Sequence, residues 1–296
     1  MIIDTHCHLN FNAFKDDVDK VIQRSLANEV WMINVGSQLE TSEKAIELTE
    51  KYPQGVFAAI GLHPIHVLGT ADLIKNKLDP EEAAAQETVK GFDIEDYRKL
   101  AASSKKVVAI GEIGLDYYWK PKSKTKLEIF KNLQKQGLSS QMDLAKELNL
   151  PTIFHCRSAH DDLIEILNTR YKIQDTKLRG VMHCFTGTVE QMRQYLALGL
   201  SLGFNGIIFK QIAGINWQEI IKAAPLDRIL VETDAPYLIP PNSSVVQREG
   251  QCGSANLRNE PLFVKQVVRE IAKIKKLSYQ EIEEQTTKNA RELFSI

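Results

Sequence analysis

Short runs of β-branched and apolar residues recur along the chain, separated by longer stretches whose apolar residues return every three or four positions. The runs predict strands at 2–5, 30–35, 56–61, 107–112, 152–156, 180–184, 200–204 and 229–233, eight in all. Helical spacing is clearest at 16–28, 42–51, 124–148, 160–169 and 189–198. Strand patterns alternating with helical ones imply parallel strands joined by helical crossovers. Eight such strands predict an α/β fold, a (β/α)8 barrel of TIM type, in a single domain covering 1–296. Two stretches depart from the alternation. Residues 66–96 are polar and rich in Ala and Glu, and 240–256 are rich in Pro, Ser, Gln and Gly. Both are expected as insertion-like loops at the C-terminal ends of strands, where barrel enzymes carry their active-site loops.

Composition narrows the function class. The chain has 296 residues, 43% hydrophobic and 25% charged, the balance of a globular protein whose core needs no disulfides. A net charge of −1 argues against a protein that coats nucleic acid, which needs many phosphate-neutralising cations. It leaves room for an enzyme that grips one end of a strand. The four cysteines, Cys7, Cys156, Cys184 and Cys252, form no C-x-x-C pair, and three of them adjoin histidines. They read as free thiols in a reducing compartment, so a cytoplasmic location is expected. Neither a secretory signal nor an apolar run of about 20 residues is visible. No membrane association and no obligate protein partner are expected, and the chain should act as a monomer. Glycine-rich nucleotide motifs are absent as well.

The candidate chemistry lies at the strand ends. His6 and His8 close the first predicted strand, His63 follows the third and Glu112 ends the fourth. His155 ends the fifth, His183 ends the sixth, and Asp234 follows the eighth. All would converge on one mouth of the barrel. A lone histidine at a strand end is ordinarily a hydrogen-bonded structural residue; this combination is hard to obtain by chance and points to a metal site. Side-chain alternation turns Cys7, Cys156 and Cys184 away from the mouth, so they are not expected as ligands. Imidazoles with one or two carboxylates suit zinc, manganese, nickel or cobalt, whereas magnesium prefers more oxygen.

At these residues the sequence resembles the TatD-type metal-dependent deoxyribonucleases of the amidohydrolase-like barrels. The resemblance rests on Asp4-Thr5-His6-Cys7-His8-Leu9, Gly61-Leu62-His63-Pro64, Ile110-Gly111-Glu112-Ile113-Gly114-Leu115-Asp116 and Phe154-His155-Cys156-Arg157. It continues through His183-Cys184-Phe185-Thr186-Gly187, Glu232-Thr233-Asp234-Ala235-Pro236-Tyr237 and Arg258-Asn259-Glu260-Pro261. These segments run across nearly the whole chain. The resemblance implies two divalent metal ions (magnesium, manganese or zinc), one held by His6, His8 and Asp234, the other by His155 and His183, with Glu112 bridging. It further implies hydrolysis of DNA phosphodiesters, 3′-to-5′ on single-stranded ends, by a two-metal-activated water. Glu at position 112 disfavours a modified-lysine bridge.

On this reading Asp234 and Glu112 are catalytic: Asp234 also accepts the water's proton, and Glu112 sets the metal spacing. Arg157 and Arg258 are candidate phosphate contacts; the alternative for each is a salt bridge with an acid such as Asp116 or Glu260. His63 could protonate a leaving group, contact phosphate or orient a ligand. Trp119 with Lys122 and Lys124, inside the run Lys120, Lys122, Lys124, Lys126, suggests a nucleic-acid track. A solvated helix start is the plainer alternative. Two further functions remain open: amide, ester or lactone hydrolysis in the same site, including tRNA deacylation, and a scaffold that keeps the fold without activity.

Overall fold

The computed structural model describes residues 1–67, 92–172, 178–241, 243 and 258–296. Most of the two insertion-like stretches expected at 66–96 and 240–256, together with Cys252, lies outside the described residues.

The eight expected strands form. They are β1 (Ile2–Cys7), β2 (Val30–Val35), β3 (Val56–Ile60), β4 (Val107–Asp116), β5 (Thr152–Arg157), β6 (Gly180–Met182), β7 (Ser201–Phe204) and β8 (Ile229–Val231). Each pairs in parallel with the next, in the order β1 to β8. The seam between first and last is tied by a parallel bridge from Cys7 to Ala235 and by the Thr5 hydroxyl, which donates to Val231 O at 3.2 Å. This nearly closed parallel barrel is the TIM-type fold.

The described residues also contain helices α1 (Val18–Ala27), α2 (Leu39–Glu50), α3 (Ile94–Ser103), α4 (Lys124–Glu147), α5 (His160–Lys172) and α6 (Val189–Ala197). They are followed by α7 (Trp217–Ala223), α8 (Val264–Lys275) and α9 (Tyr279–Phe294). Capping boxes start α6 at Thr188 and α9 at Ser278, each side chain accepting from the backbone N–H three residues on. Such caps satisfy helix-end donors that would otherwise go unpaired.

Alternate residues of the strands build two layers. Ile3, Ile33, Ala59, Ala109, Ile153, Val181 and Leu230 join Ala290 and Phe294 of α9 in one buried cluster. Thr287 donates to Met1 O and Asn289 to Ile229 O, so α9 sits against the N-terminal ends of β1 and β8. The opposite side chains, such as Ile2, Ile60, Ile110, Phe154 and Leu202, pack under the helices. With one end filled by apolar side chains, polar chemistry gathers at the C-terminal mouth.

β4 runs four residues past its expected end. Gly114 permits this: its φ is +153°, and a Cβ there would fall 1.9 Å from His155 O. The extension pairs Asp116 with Arg157 across β4 and β5. That register matters for the site.

Candidate metal centre

The seam of the barrel places the first group. Asp4, buried in β1, accepts the Thr233 N–H at 2.8 Å and the Thr233 hydroxyl at 2.6 Å. Asp234 N then donates to His6 O, and His8 N to Ala235 O. Asp234 adopts φ +57°, a region a short polar side chain tolerates, directly beside His6 and His8. Its Oδ1 stands 3.7 Å from His6 Nε2 and 3.5 Å from His8 Nε2, and those two nitrogens are 3.1 Å apart.

Glu112, at the centre, divides its oxygens. Oε1 faces His8 Nε2 at 3.7 Å and His63 Nε2 at 4.0 Å. Oε2 faces His6 Nε2 at 3.6 Å, His155 Nδ1 at 3.5 Å and His183 Nε2 at 3.3 Å. The six residues expected as ligands are therefore brought together around one carboxylate.

Acceptors behind the rings fix which nitrogen faces inward. His8 Nδ1 lies 2.9 Å from Val35 O, which can only accept, so Nδ1 carries the proton and the Nε2 lone pair points to the centre. His183 Nδ1 faces Glu232 Oε1 at 3.0 Å, leaving Nε2 toward Glu112. His155 is turned the other way: Nε2 faces Asp116 Oδ2 at 3.2 Å, so Nδ1 points to Glu112. A carboxylate or carbonyl behind a metal-ligating histidine is the usual device for holding tautomer and ring angle. Glu232 Oε1 also accepts from Cys184 N at 2.7 Å and Asn205 Nδ2 at 3.0 Å. Gly203 leaves it space, since a Cβ there would sit 2.4 Å from Glu232 Oε2.

Neutral imidazole lone pairs thus converge on two carboxylates, an arrangement that demands intervening positive charge. Protonation would supply it in the metal-free protein. Burial alone would depress His155, but hydrogen bonds to Asp116 and Glu112 outweigh it and raise the ring to about 10. His183, also opposed by burial, is raised to about 9 by the charge of Glu232 and their hydrogen bond. His8 rises too, through Asp234 and Glu112, against the same burial. His6 and His63 are held well below the ordinary value by burial and by neighbouring His183 and His155 respectively. Burial would raise Glu112, yet the surrounding histidines, His63 and His6 foremost, hold it well below. Divalent cations would replace these protons, and the nitrogen–oxygen donor set fits them. Ligand atoms of His6, His8 and Asp234 lie within 4.8 Å of one another, as do those of His6, Glu112 and His183.

The centre opens into a cavity of about 570 Å³, within the usual range of ligand sites. His63 lines it beside His155, their ring centroids 4.3 Å apart, and its Nδ1 accepts from Ile65 N. Arg157 lines it as expected, with its guanidinium carbon 3.7 Å over the Tyr118 ring. Asp116, one proposed salt-bridge partner for it, is turned to His155 instead.

Several expectations need correction. Arg258 is outside the cavity lining: its guanidinium donates to Asp17 at 2.6 Å, to Glu260 at 3.3 Å and to Ala13 O, and covers Phe14. These contacts match the alternative of a salt bridge, with Glu260 as one partner. Trp119 packs half-buried against the core, and its neighbour Tyr118 is the exposed aromatic of the cavity lining. Lys122 and Lys124 are exposed at the start of α4 and stay clear of the cavity lining. Cys7 turns away, donating to Ile33 O, but Cys156 and Cys184 both line the cavity. The alternation rule failed at Cys184 because β6 stops at Met182 and Cys184 has φ +45°. Sequence reasoning missed Asp116 and Glu232 as ring holders. Their one sequence signal is an acid within an apolar strand run, which demands a partner.

The profile of the TatD related DNase family matches residues 3–295. The uncharacterized metal-dependent hydrolase YabD of Bacillus subtilis is 35% identical over the whole of both chains. The 3′-5′ ssDNA/RNA exonuclease TatD of Erwinia tasmaniensis is 33% identical, again over the whole of both. Among solved structures, the TatD homologue YjjV of Escherichia coli superposes with a TM-score of 0.75 at 28% identity, covering 100% of this chain and 98% of its own.

Proposed function

The chain belongs to the family of TatD-related DNases, metal-dependent hydrolases, and from that premise we propose that it is a deoxyribonuclease that hydrolyses phosphodiesters 3′-to-5′ on single-stranded DNA ends. His6, His8 and Asp234 would hold one divalent metal and His155 and His183 a second, with Glu112 between them. Magnesium, manganese and zinc are the candidate ions. Bound metals supply Lewis acidity, which acidifies water and offsets phosphate charge. Asp234, the more exposed of the two central carboxylates at 15% against 6% for Glu112, accepts the proton of the attacking water. Arg157 at the cavity wall offers planar N–H donors to phosphate oxygens. His63, held neutral by burial, has its Nε2 directed toward Glu112 and serves substrate or ligand orientation.

The observation that carries this reading is the division of Glu112, one oxygen toward His8 and the other toward His155 and His183. A carboxylate so placed can bridge two cations. Exposed Lys122 and Lys124 would lend charge to a strand approaching the mouth.

The test is a time course on end-labelled single-stranded DNA with metal-stripped protein, adding back magnesium, manganese and zinc separately. Metal-dependent laddering from the 3′ end, absent from Asp234→Asn, is the expected result. Absence of cleavage with metal bound would transfer the assignment to amide, ester or lactone hydrolysis.

A further inference from the structure

The exposed aromatic at the mouth has no part in holding the metals. Tyr118 is 50% exposed, one of two large hydrophobic side chains so exposed among the described residues. Tyr118 lines the cavity, Arg157 lies over its ring at 3.7 Å, and Trp119 meets it edge-on with centroids 4.6 Å apart. We infer that Tyr118 and Arg157 form a stacking platform for a nucleobase of the strand whose phosphate lies at the metal centre.

The platform is anchored to the metal centre by covalent and hydrogen-bonded links. Asp116 Oδ1 accepts the Tyr118 N–H at 2.9 Å, while Oδ2 holds His155 Nε2 at 3.2 Å. Tyr117 N donates to Arg157 O at 2.9 Å, locking the same strand ends together. One carboxylate therefore fixes both the orientation of a metal-facing ring and the backbone that carries the stacking ring. The guanidinium is pre-organised by the tyrosine, which spares ordering entropy on binding. A guanidinium plane or an aromatic face accepts any base by stacking, without sequence preference. Across the cavity, Ile207, Ile212, Ile215 and Leu238 give an apolar wall. Floor, wall and platform thus suit a phosphate, a sugar and a base in turn. The lysines that start α4 belong to the same connection after β4 but stand outside this cavity.

This inference rests on the nuclease reading, and the experiment separates the two. Single-stranded oligonucleotides carrying 2-aminopurine at successive positions from the 3′ end are titrated with wild-type protein in calcium and, separately, cleaved in manganese. Stacking should quench 2-aminopurine at one or two positions near the end. Tyr118→Ala should abolish that quench and weaken binding by roughly 5- to 100-fold, the usual range for losing one base–aromatic stack. Tyr118→Phe should restore both. Replacing the base at the quenched position by an abasic sugar should weaken wild type and leave Tyr118→Ala no weaker than before. A wild type that binds and cleaves, with Tyr118→Ala matching its affinity and quench, overturns the platform and leaves the nuclease intact. A wild type that neither binds nor cleaves overturns both.

Discussion

The orientation of His155 is the most exposed joint of the centre, and replacing Asp116 by Asn tests it with one atom. In the native protein Oδ1 accepts from Tyr118 N and Oδ2 from His155 Nε2. An asparagine must keep its carbonyl oxygen on the Tyr118 N–H, because an amide nitrogen cannot accept there. Its NH2 then faces His155 Nε2, which must become the acceptor. The ring proton moves to Nδ1, where it points at Glu112 Oε2, 3.5 Å away. The inward lone pair is lost. The shape of the residue is unchanged, so the effect is one of proton placement.

Loss of such a holder ordinarily weakens metal affinity by about 10- to 100-fold, or about 1.4–2.7 kcal/mol. Only the site that uses His155 should respond; His8 is held by Val35 O and Asp234 by the barrel seam. Competition against a coloured chelator, with zinc or manganese, reads both sites in one titration. The expectation is one weakened class and one unchanged within about threefold. Nitrogen-15 NMR of the metal-free protein above pH 10 should show protonation at Nε2 in wild type and at Nδ1 in the variant. Unchanged affinity in both classes, or equal weakening of both, refutes the tautomer argument. Complete loss of one metal equivalent would instead make Asp116 a direct ligand with His63 and His155, whose ligand atoms also lie within 4.8 Å of one another.

Four other outcomes follow from the same geometry. Asp234→Asn should lower kcat by about 10²- to 10⁴-fold if it removes the general base; retained turnover in a rapid-quench assay would assign the base elsewhere. Neutralising Lys122 and Lys124 to Gln should flatten the slope of log affinity against log salt by about 1.4 in all for a single strand, and an unaltered slope would return both lysines to the role of a solvated helix start. Metal-free stability should fall as pH rises from 7 to 9: His155 and His183, raised to about 10 and about 9 from an ordinary 6.5, give stabilisation complete below 6.5 and lost as pH rises through those values. Each contributes up to about 1.4 kcal/mol per pH unit in that window, and melting curves with and without chelator should diverge; parallel curves would contradict the assignment. Arg258→Ala should lower the melting temperature by about 4–8 °C for a loss of about 2 kcal/mol without affecting kcat; a large kcat loss in a variant of native stability would restore a substrate role.

The barrel was legible because its strands are buried on both faces and therefore read as short apolar runs. The cluster of six expected ligands was legible because each falls at a strand's C-terminal end, where topology alone brings them together. What failed depended on pairing or on local backbone. Asp116 and Glu232 act on histidines 39 and 49 residues away, through a register that one chain segment does not reveal. The Arg258–Glu260 pair is the alternative weighed from the sequence, but Arg258 also finds Asp17 across 241 residues, a partner that proximity in the chain does not announce. Tyr118 and Trp119 are adjacent aromatics, and the Asp116–Tyr118 hydrogen bond, invisible in composition, sets the turn from which Tyr118 reaches the mouth. Cys184 was misplaced by extending strand alternation two residues beyond the strand.

The metal centre cannot by itself select the substrate, because the same imidazole and carboxylate set can serve hydrolysis of several bond types. Selection has to come from groups that line the cavity without facing Glu112. Among these are Tyr118 and Arg157 beside β4 and β5, and the apolar Ile207, Ile212, Ile215 and Leu238. A compact neutral amide or lactone could use the apolar side and would not engage the Arg157 guanidinium, which rests on the Tyr118 ring. A nucleotide end would use both sides at once, its phosphate or base meeting Arg157 and its apolar faces the wall. On the proposed nuclease reading, a net charge of −1 for the chain would keep general attraction for nucleic acid weak, which would suit an enzyme that holds one end of a strand and must release it after each cut.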